Sequence, residues 1–282
     1  MKVLYLGTGA AEGVPAMFCN CDYCRSLRAR IARGEGGREV RSRSQVLLDG
    51  ELSIDFPPDA FYHAAKFGVD LSAIRYLLVT HSHMDHFYAH DFVLRGYKYA
   101  HEMTAPQLTI FANREVGEVF RECTRREMKQ EVAPSLSLRT VGAFEEAAFG
   151  DWRAYSFPAQ HSSLEPLLWL IERGDKRVLH LTDTGRLPDE SLEFLKMLKK
   201  RADLVTLDCT FLWDESDPHA RHMNVKEALH TVERLTRVGI CDDRTMKVIT
   251  HFSHNGVPSP ENLARAEACG FVAAYDGMEL TL

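Results

Sequence analysis

Long apolar runs are missing from this 282-residue chain. No stretch approaches the roughly 20 consecutive apolar residues that a membrane-spanning helix needs, so no membrane partner is expected. An excess of positive charge is missing too. Lys and Arg number 34 against 40 Asp and Glu, for a net charge of −6. General nucleic-acid binding rests on neutralising phosphates with Lys and Arg, so nucleic acid is not an expected partner. No linker of Pro, Gly or Ser and no low-complexity segment cuts the chain, and residues 1–282 read as a single domain. Cysteine is sparse and odd in number, seven in all, which argues against a disulfide framework. The apolar part of Met1–Gly7 is too short for a signal peptide. It reads as a first strand, and a cytoplasmic location is expected.

What is present is dense in one place. Thr80-His81-Ser82-His83-Met84-Asp85-His86 puts three His and one Asp within six positions, directly after the apolar run Tyr76-Leu77-Leu78-Val79. The run reads as a buried strand. A strand that ends in a His/Asp loop delivers donors to a sheet edge, where open α/β folds place their sites. Later strands have the same form. His161 follows strand 152–157, Asp183 follows strand 177–181 and His251 follows strand 247–250. A dinuclear hydrolytic centre needs about six or seven N/O donors, one of them a carboxylate that bridges the cations. Each late residue is weak evidence alone, and the set is strong.

Further strands are expected at 45–49, 51–55, 108–111, 136–140, 166–171 and 204–207. Helices are expected at 59–67, 87–104, from Asn113 to about Gln130, at 188–200, 224–238 and 260–269. The glycines of Gly7-Thr8-Gly9-Ala10-Ala11-Glu12-Gly13 lack the Lys-Ser/Thr of a phosphate loop; they read as letting the backbone pass close to the site. Seven arginines between Arg25 and Arg43 (25, 28, 30, 33, 38, 41, 43) read together as an anion-facing segment beside a metal site.

The pattern His-x-His-x-Asp-His, a distal His, an Asp in Thr-Asp-Thr-Gly and a final His resembles the metallo-β-lactamase superfamily. The chain looks longer than the family it resembles at 87–135, read as a helical insertion, and at 185–220. The resemblance implies a four-layer αβ/βα sandwich. It implies that His81, His83 and His161 hold one metal and Asp85, His86 and His251 the other, with Asp183 bridging. Asp55 resembles the superfamily's early Asp, which supports the site by hydrogen bonding. N/O donors accept Zn, Mn or Fe.

Cys19-x-Cys21-x-x-Cys24 is a second cluster. Thiolates favour zinc at a closed tetrahedral site. His254, three residues after His251, is the best fourth ligand; Cys209, Cys241 and Cys269 sit in apolar or helical surroundings. This structural zinc pattern resembles the phosphodiesterase family of the carbon–phosphorus lyase pathway, which hydrolyses 5-phosphoribosyl 1,2-cyclic phosphate and simple phosphodiesters. It is similar also to the pyrroloquinoline quinone biosynthesis B proteins, which typically depart from the full His motif. The expected activity is therefore hydrolysis of a small phosphodiester by a hydroxide held between two cations. Asp85 is expected to orient the hydroxide. His222, just before the helix at 224, is expected to be the general acid, a choice that the resemblance supports. His63, His90, His101, His180, His219 and His230 read as structural or solvent-exposed. A lactonase or thioesterase, an RNA-processing hydrolase and a non-catalytic metal-binding protein are the competing readings. A homodimer is a candidate assembly.

Overall fold

A computed structural model describes residues 1–215 and 221–282; His219 lies outside the described residues. Two seven-stranded sheets face each other. The first contains β1 (Lys2–Gly7), β2 (Gln45–Leu48), β3 (Leu52–Ile54), β4 (Tyr76–Leu78), β5 (Leu108–Ala112) and β6 (Leu136–Thr140). The second contains β7 (Glu146–Phe149), β8 (Trp152–Pro158), β9 (Leu167–Arg173), β10 (Lys176–Leu181), β11 (Leu204–Asp208), β12 (Met246–Thr250) and β13 (Val272–Ala273). The chain then returns to the first sheet with β14 (Met278–Thr281), beside β1. Each sheet is half antiparallel and half parallel. The parallel pairs are β3–β4, β4–β5 and β5–β6 in one sheet. They are β10–β11, β11–β12 and β12–β13 in the other.

The residue pattern explains the layers. Leu204-Val205-Thr206-Leu207 is a continuous buried run because both faces of β11 are covered. Leu204 joins Val248, Trp169 and Val178 in a core between the sheets, against Val3, Val46, Leu52 and Ile54. Val205, Leu207 and Ile249 face the other way, onto Leu195, Ala228 and Ala266. Those three belong to helices α4 (Asp189–Leu198), α5 (Val225–Arg237) and α6 (Pro260–Glu267). The outer face of the first sheet packs Leu77, Ile110 and Ala112 on Val116 and Phe67. Val116 lies in α3 (Arg114–Thr124) and Phe67 in α2 (Ala60–Phe67). Fully burying one such Leu stabilises the fold by about 1.5–3 kcal/mol. The architecture is the αβ/βα sandwich of the metallo-β-lactamase type.

The helices begin where the caps stand. The side chains of Asn113, Asn224 and Ser259 accept hydrogen bonds from the backbone N–H of Val116, Glu227 and Asn262, three residues on. Gly68 ends α2 in the left-handed conformation. A further helix, α1 (Asp22–Ile31), starts at Cys21, where the sequence reading has a cysteine-rich loop.

Several expectations fail. Residues 87–104 form only a short 3-10 turn at Ala89–Leu94. Their aromatics do not recur at a helical period: Phe87 and Phe92 are buried beneath the first sheet, while Tyr97 and Tyr99 are exposed. Helix α3 stops at Thr124, not near Gln130, since apolar periodicity lapses at Arg125-Arg126-Glu127. The insertion around 87–135 is thus helical over α3 alone, apart from 3-10 turns. Strands β7, β13 and β14 were not anticipated. They are two to four residues long, below what a period-2 pattern resolves.

The arginine segment is also corrected. Arg25 pairs with Asp22, Arg30 with Glu39, Arg33 with Glu35 and Arg43 with Asp59. Arg28 donates to the carbonyl of Cys19 and to Asn20, and Arg38 stacks on Tyr275. Arg41 is buried and donates to Thr8 Oγ1 at 2.8 Å. These cations brace their own segment and do not form an anion-facing surface. The glycines act in two ways. A Cβ on Gly7 would sit 1.9 Å from the carbonyl oxygen of Arg43, so Gly7 serves that crossing. Gly9 bridges to Phe252, beside His251, which brings the turn close to the site.

Candidate metal centre

The site lies at the C-terminal ends of the parallel strands. The end of β3 supplies Asp55 and the loop after β4 supplies His81, His83, Asp85 and His86. The loop after β8 carries His161, and Asp183 follows β10. Asp208 closes β11 and His251 follows β12. Asp55 and His251 take left-handed backbone conformations, with φ of 63° and 64°. Such a conformation costs a non-glycine residue of order 1–3 kcal/mol and persists only where the surroundings impose it.

The seven residues named from the sequence are brought together. Donor atoms of His81, His83, His161 and Asp183 lie within 4.8 Å of one another, and so do those of Asp85, His86, Asp183 and His251. Asp183 is common to both groups. Its Oδ2 is 3.4 Å from His161 Nε2, 3.7 Å from His81 Nε2, 3.4 Å from His86 Nε2 and 3.7 Å from His251 Nε2. Asp183 thus stands between the two groups. Asp85 Oδ2 lies 3.2 Å from His86 Nε2.

The ring nitrogens fit a cation better than each other. His83 Nδ1 and His161 Nε2 are 3.2 Å apart, as are His86 Nε2 and His251 Nε2. Metal–nitrogen bonds of about 2.0–2.1 Å set neighbouring donors roughly 3.3 Å apart in a tetrahedron. The buried Nε2 of His81 has no hydrogen-bond partner. The opposite nitrogens are occupied. His86 Nδ1 meets Asp55 Oδ2 at 2.6 Å, His81 Nδ1 meets Thr80 Oγ1 at 3.0 Å, and His251 Nδ1 meets Thr210 Oγ1 at 2.9 Å. Partners of this kind fix the tautomer that leaves Nε2 free to ligate. Asp55 also accepts from Thr80 N at 2.8 Å and from its hydroxyl. It acts as a brace, as the resemblance implied.

Charge tells the same story. Asp55, Asp85, Asp183 and Asp208 are all buried. Their close partners are histidines, and a buried carboxylate needs a counter-charge. Burial pushes the Asp183 carboxyl up, but His251 and His222 outweigh it and hold the group well below the usual range. Burial lowers the His86 imidazole, and the carboxylates of Asp85 and Asp55 reverse this, holding it well above its ordinary value. Protons on these rings balance the acids, and divalent cations would replace those protons on binding. The His/Asp clusters are thus suited to divalent metal.

His222 adjoins the centre. Its Nδ1 is 2.6 Å from Asp183 Oδ1 and 3.0 Å from Asp208 Oδ2. Burial lowers its pKa, but the two carboxylates more than compensate and hold it at about 11. Asp208 is the residue that the sequence reading missed as functional. Its Oδ1 accepts from Thr210 N and Met223 N, both at 3.0 Å, so it fixes both the strand end and the segment bearing His222. The signal was there: Asp208 closes an apolar strand just as Asp183 follows one.

The second cluster forms as well. Donor atoms of Cys19, Cys21, Cys24 and His254 lie within 4.8 Å of one another. Cys21 Sγ is 3.7 Å from His254 Nδ1. Hydrogen bonds from the Cys24 backbone and from His254 lower the Cys21 thiol to about 6, while burial raises Cys24 to about 11.

The other histidines divide. His63 is buried between Gln45 Oε1 and Ser42 Oγ, each at 2.7 Å, and His180 is buried on β10. His90 and His101 are exposed, and His230 is half-buried.

Residues 47–252 match the Beta-lactamase superfamily domain. The chain belongs to the β-lactamase superfamily. Among curated relatives, it is 24% identical over 290 residues to an octanoyltransferase of Porphyromonas gingivalis, covering 99% of this chain but 51% of that protein. The chain thus spans about half the length of that relative. It is 26% identical to coenzyme PQQ synthesis protein B of Methylobacterium radiotolerans over 316 residues, covering 100% of each. In fold it matches the crystal structure of a new diphosphatase from the PhnP family, with a TM-score of 0.74 and 23% identity over 100% of this chain and 97% of that one. No described helix of this superfamily member is long and apolar enough to cross a membrane.

Proposed function

We propose that this hydrolase cleaves small phosphodiesters, cyclic ones included. His81, His83 and His161 would hold one divalent cation, Asp85, His86 and His251 a second, and Asp183 would bridge them. Cys19, Cys21, Cys24 and His254 would hold a structural zinc. The two cations would supply Lewis-acid polarisation of the phosphoryl oxygens and a water of lowered pKa. The observation that carries the phosphodiester reading is the Asp208–His222 pair beside the bridging carboxylate. An alkoxide leaving group needs a proton, and His222 would give it. Once a cation engages Asp183, Asp208 remains to hold Nδ1–H and orient the ring. Asp85 would both hold a cation and orient the attacking water.

Substrate size follows from the cavity next to His222. It encloses about 320 Å³ and is lined by Gln160, Arg186, Phe211, Asn224 and Lys226. That volume suits a small molecule; Arg186 and Lys226 on its wall are offset by Asp214, Glu215 and Glu227, so the cavity limits size and does not by itself select charge. The structural likeness to a PhnP-family diphosphatase supports the same class. A second reading rests on full-length similarity to a PQQ synthesis B protein: a biosynthetic accessory role that uses the same metal centre.

A panel of bis(p-nitrophenyl) phosphate, a 2′,3′-cyclic nucleotide, a ribose cyclic phosphate, a lactone and a thioester, given to metal-loaded protein, tests the proposal. Phosphodiester turnover is expected. Turnover of the lactone or thioester alone would overturn it, and no turnover at all would favour the accessory role.

A further inference from the structure

Two loops bear the three histidines of the first cluster, and they come from different sheets. His81 and His83 follow β4; His161 follows β8. Something must set the gap between them, because a cation accepts donors only within a few tenths of an ångström. One direct backbone bond ties the loops, from Leu167 N to Thr80 O at 2.8 Å. The second tie passes through α3. The Glu115 side chain accepts from Ser82 Oγ at 2.8 Å and from Leu164 N at 3.1 Å, both at Oε2. Ser82 stands between His81 and His83, and Leu164 stands three residues after His161. Asn113 completes the join. Its Nδ2 donates to the carbonyls of Leu164 and Glu165 at 2.9 and 2.8 Å, while its Oδ1 caps α3 through Val116 N.

We propose that Glu115 is a positioning residue for metal binding, whose single carboxylate oxygen locks the His81/His83 loop to the His161 loop. The inference rests on the reading of these three histidines as one metal's ligands. Two features separate Glu115 from an ordinary helix-start acid. Its side chain reaches across two loops instead of back to its own helix, and helix capping is already done by Asn113. Removing Glu115 therefore leaves α3 capped and frees the two loops to drift apart. Among the described residues Glu115 makes no hydrogen bond to Asp85, His86 or His251, and it bridges both loops of the His81/His83/His161 site, so that site is affected most.

The test is a Co²⁺ titration of the metal-free full-length chain. Visible d–d absorption reports the His/Asp sites, and thiolate-to-metal charge transfer separately reports the cysteine site. Competition with a chelator gives affinities. Glu115→Ala is expected to weaken one of the two His/Asp sites about 10–100-fold, the usual cost of losing a partner that orients ligands. The other His/Asp site, which shares the loop after β4 and Asp183, should weaken less, and the thiolate band should stay as in wild type. Glu115→Gln keeps an oxygen acceptor and should restore most of the affinity. Glu118→Ala, on the exposed side of the same helix, should change nothing. Ser82→Ala removes one donor and repeats the test if Glu115→Ala does not fold. Wild-type protein that takes up no Co²⁺ at the His/Asp clusters would sink the metal reading itself. Wild-type uptake at two such sites, with Glu115→Ala and Ser82→Ala equal to it, would overturn the role of Glu115 alone.

Discussion

The two donor clusters in this molecule are built in opposite ways. In the His/Asp cluster every donor leaves the end of a strand or the loop beyond it, and most are buried. Their reverse sides are braced by Asp55, Thr80 and Thr210. In the Cys/His cluster the donors come from a loop, the first turn of α1 and the turn after His251. Cys21 is exposed, and Phe18 beside the cluster is 94% exposed. The first set is held by strand ends and by these braces. The second set is held largely by its own members: Cys21 N–H donates to Cys19 Sγ, and Cys24 N–H to Cys21 Sγ. A metal at the first cluster serves chemistry on a finished scaffold, whereas a metal at the second finishes the scaffold.

The contrast can be broken most sharply at Asp183. In Asp183→Asn the shared oxygens carry no charge, and both His/Asp sites should weaken together. Phosphodiester turnover is expected to fall by more than about 100-fold, beyond the cost of losing a mere partner of a ligand. Metal analysis should show the cysteine-bound zinc still present. Retention of two further cations would remove Asp183 from the bridging position.

A smaller and more selective effect is expected from His222→Ala. A general acid contributes about 10²–10⁴-fold when the leaving group is poor. The loss should be of that size for an alkyl phosphodiester and nearly absent for bis(p-nitrophenyl) phosphate, whose leaving group needs no proton. Equal losses on both would assign His222 to binding or folding.

The mildest probe concerns the exposed cluster. In metal-free protein the Cys21 thiol is held at about 6 by the Cys24 N–H and by His254. A lowered pKa means that the thiolate persists above that pH and is lost as pH falls through it. Alkylation of Cys21, mapped by mass spectrometry, should therefore drop off near pH 6. An ordinary thiol loses reactivity below roughly pH 8.5. Zinc should block the reaction at every pH. A profile centred near 8.5 would show that the cluster is not preformed.

Much of this site was legible because its residues obey one rule: an apolar strand, then a donor. His161, Asp183 and His251 were each found that way, although they lie far from the His81–His86 motif in sequence. Asp208 satisfied the same rule and was passed over, because its role depends on His222, which no strand delivers. Glu115 gave no signal at all. An acid in the first turn of a helix is normally explained by the helix dipole, and only the meeting of two distant loops shows its use. The arginine segment misled for the reverse reason. Its cations were read by count, but the acids and carbonyls that engage them lie nearby in space, at Glu39, Asp59 and Cys19. Residues 87–104 were misread because aromatic content stood in for periodicity.

The position of β14 has a consequence for how the molecule comes into being. Lys2 at the start of β1 lies opposite Thr281, so the first sheet gains this edge only after all the intervening strands have been synthesised. Pairings between such distant residues form slowly, since the closure entropy must be met before any contact rewards it. The donors from His81 to His86 emerge early in synthesis, and His251 emerges late. During that interval the nascent chain carries an incomplete donor set on an open sheet; His251, after β12, completes the set, and β14 then covers the sheet edge.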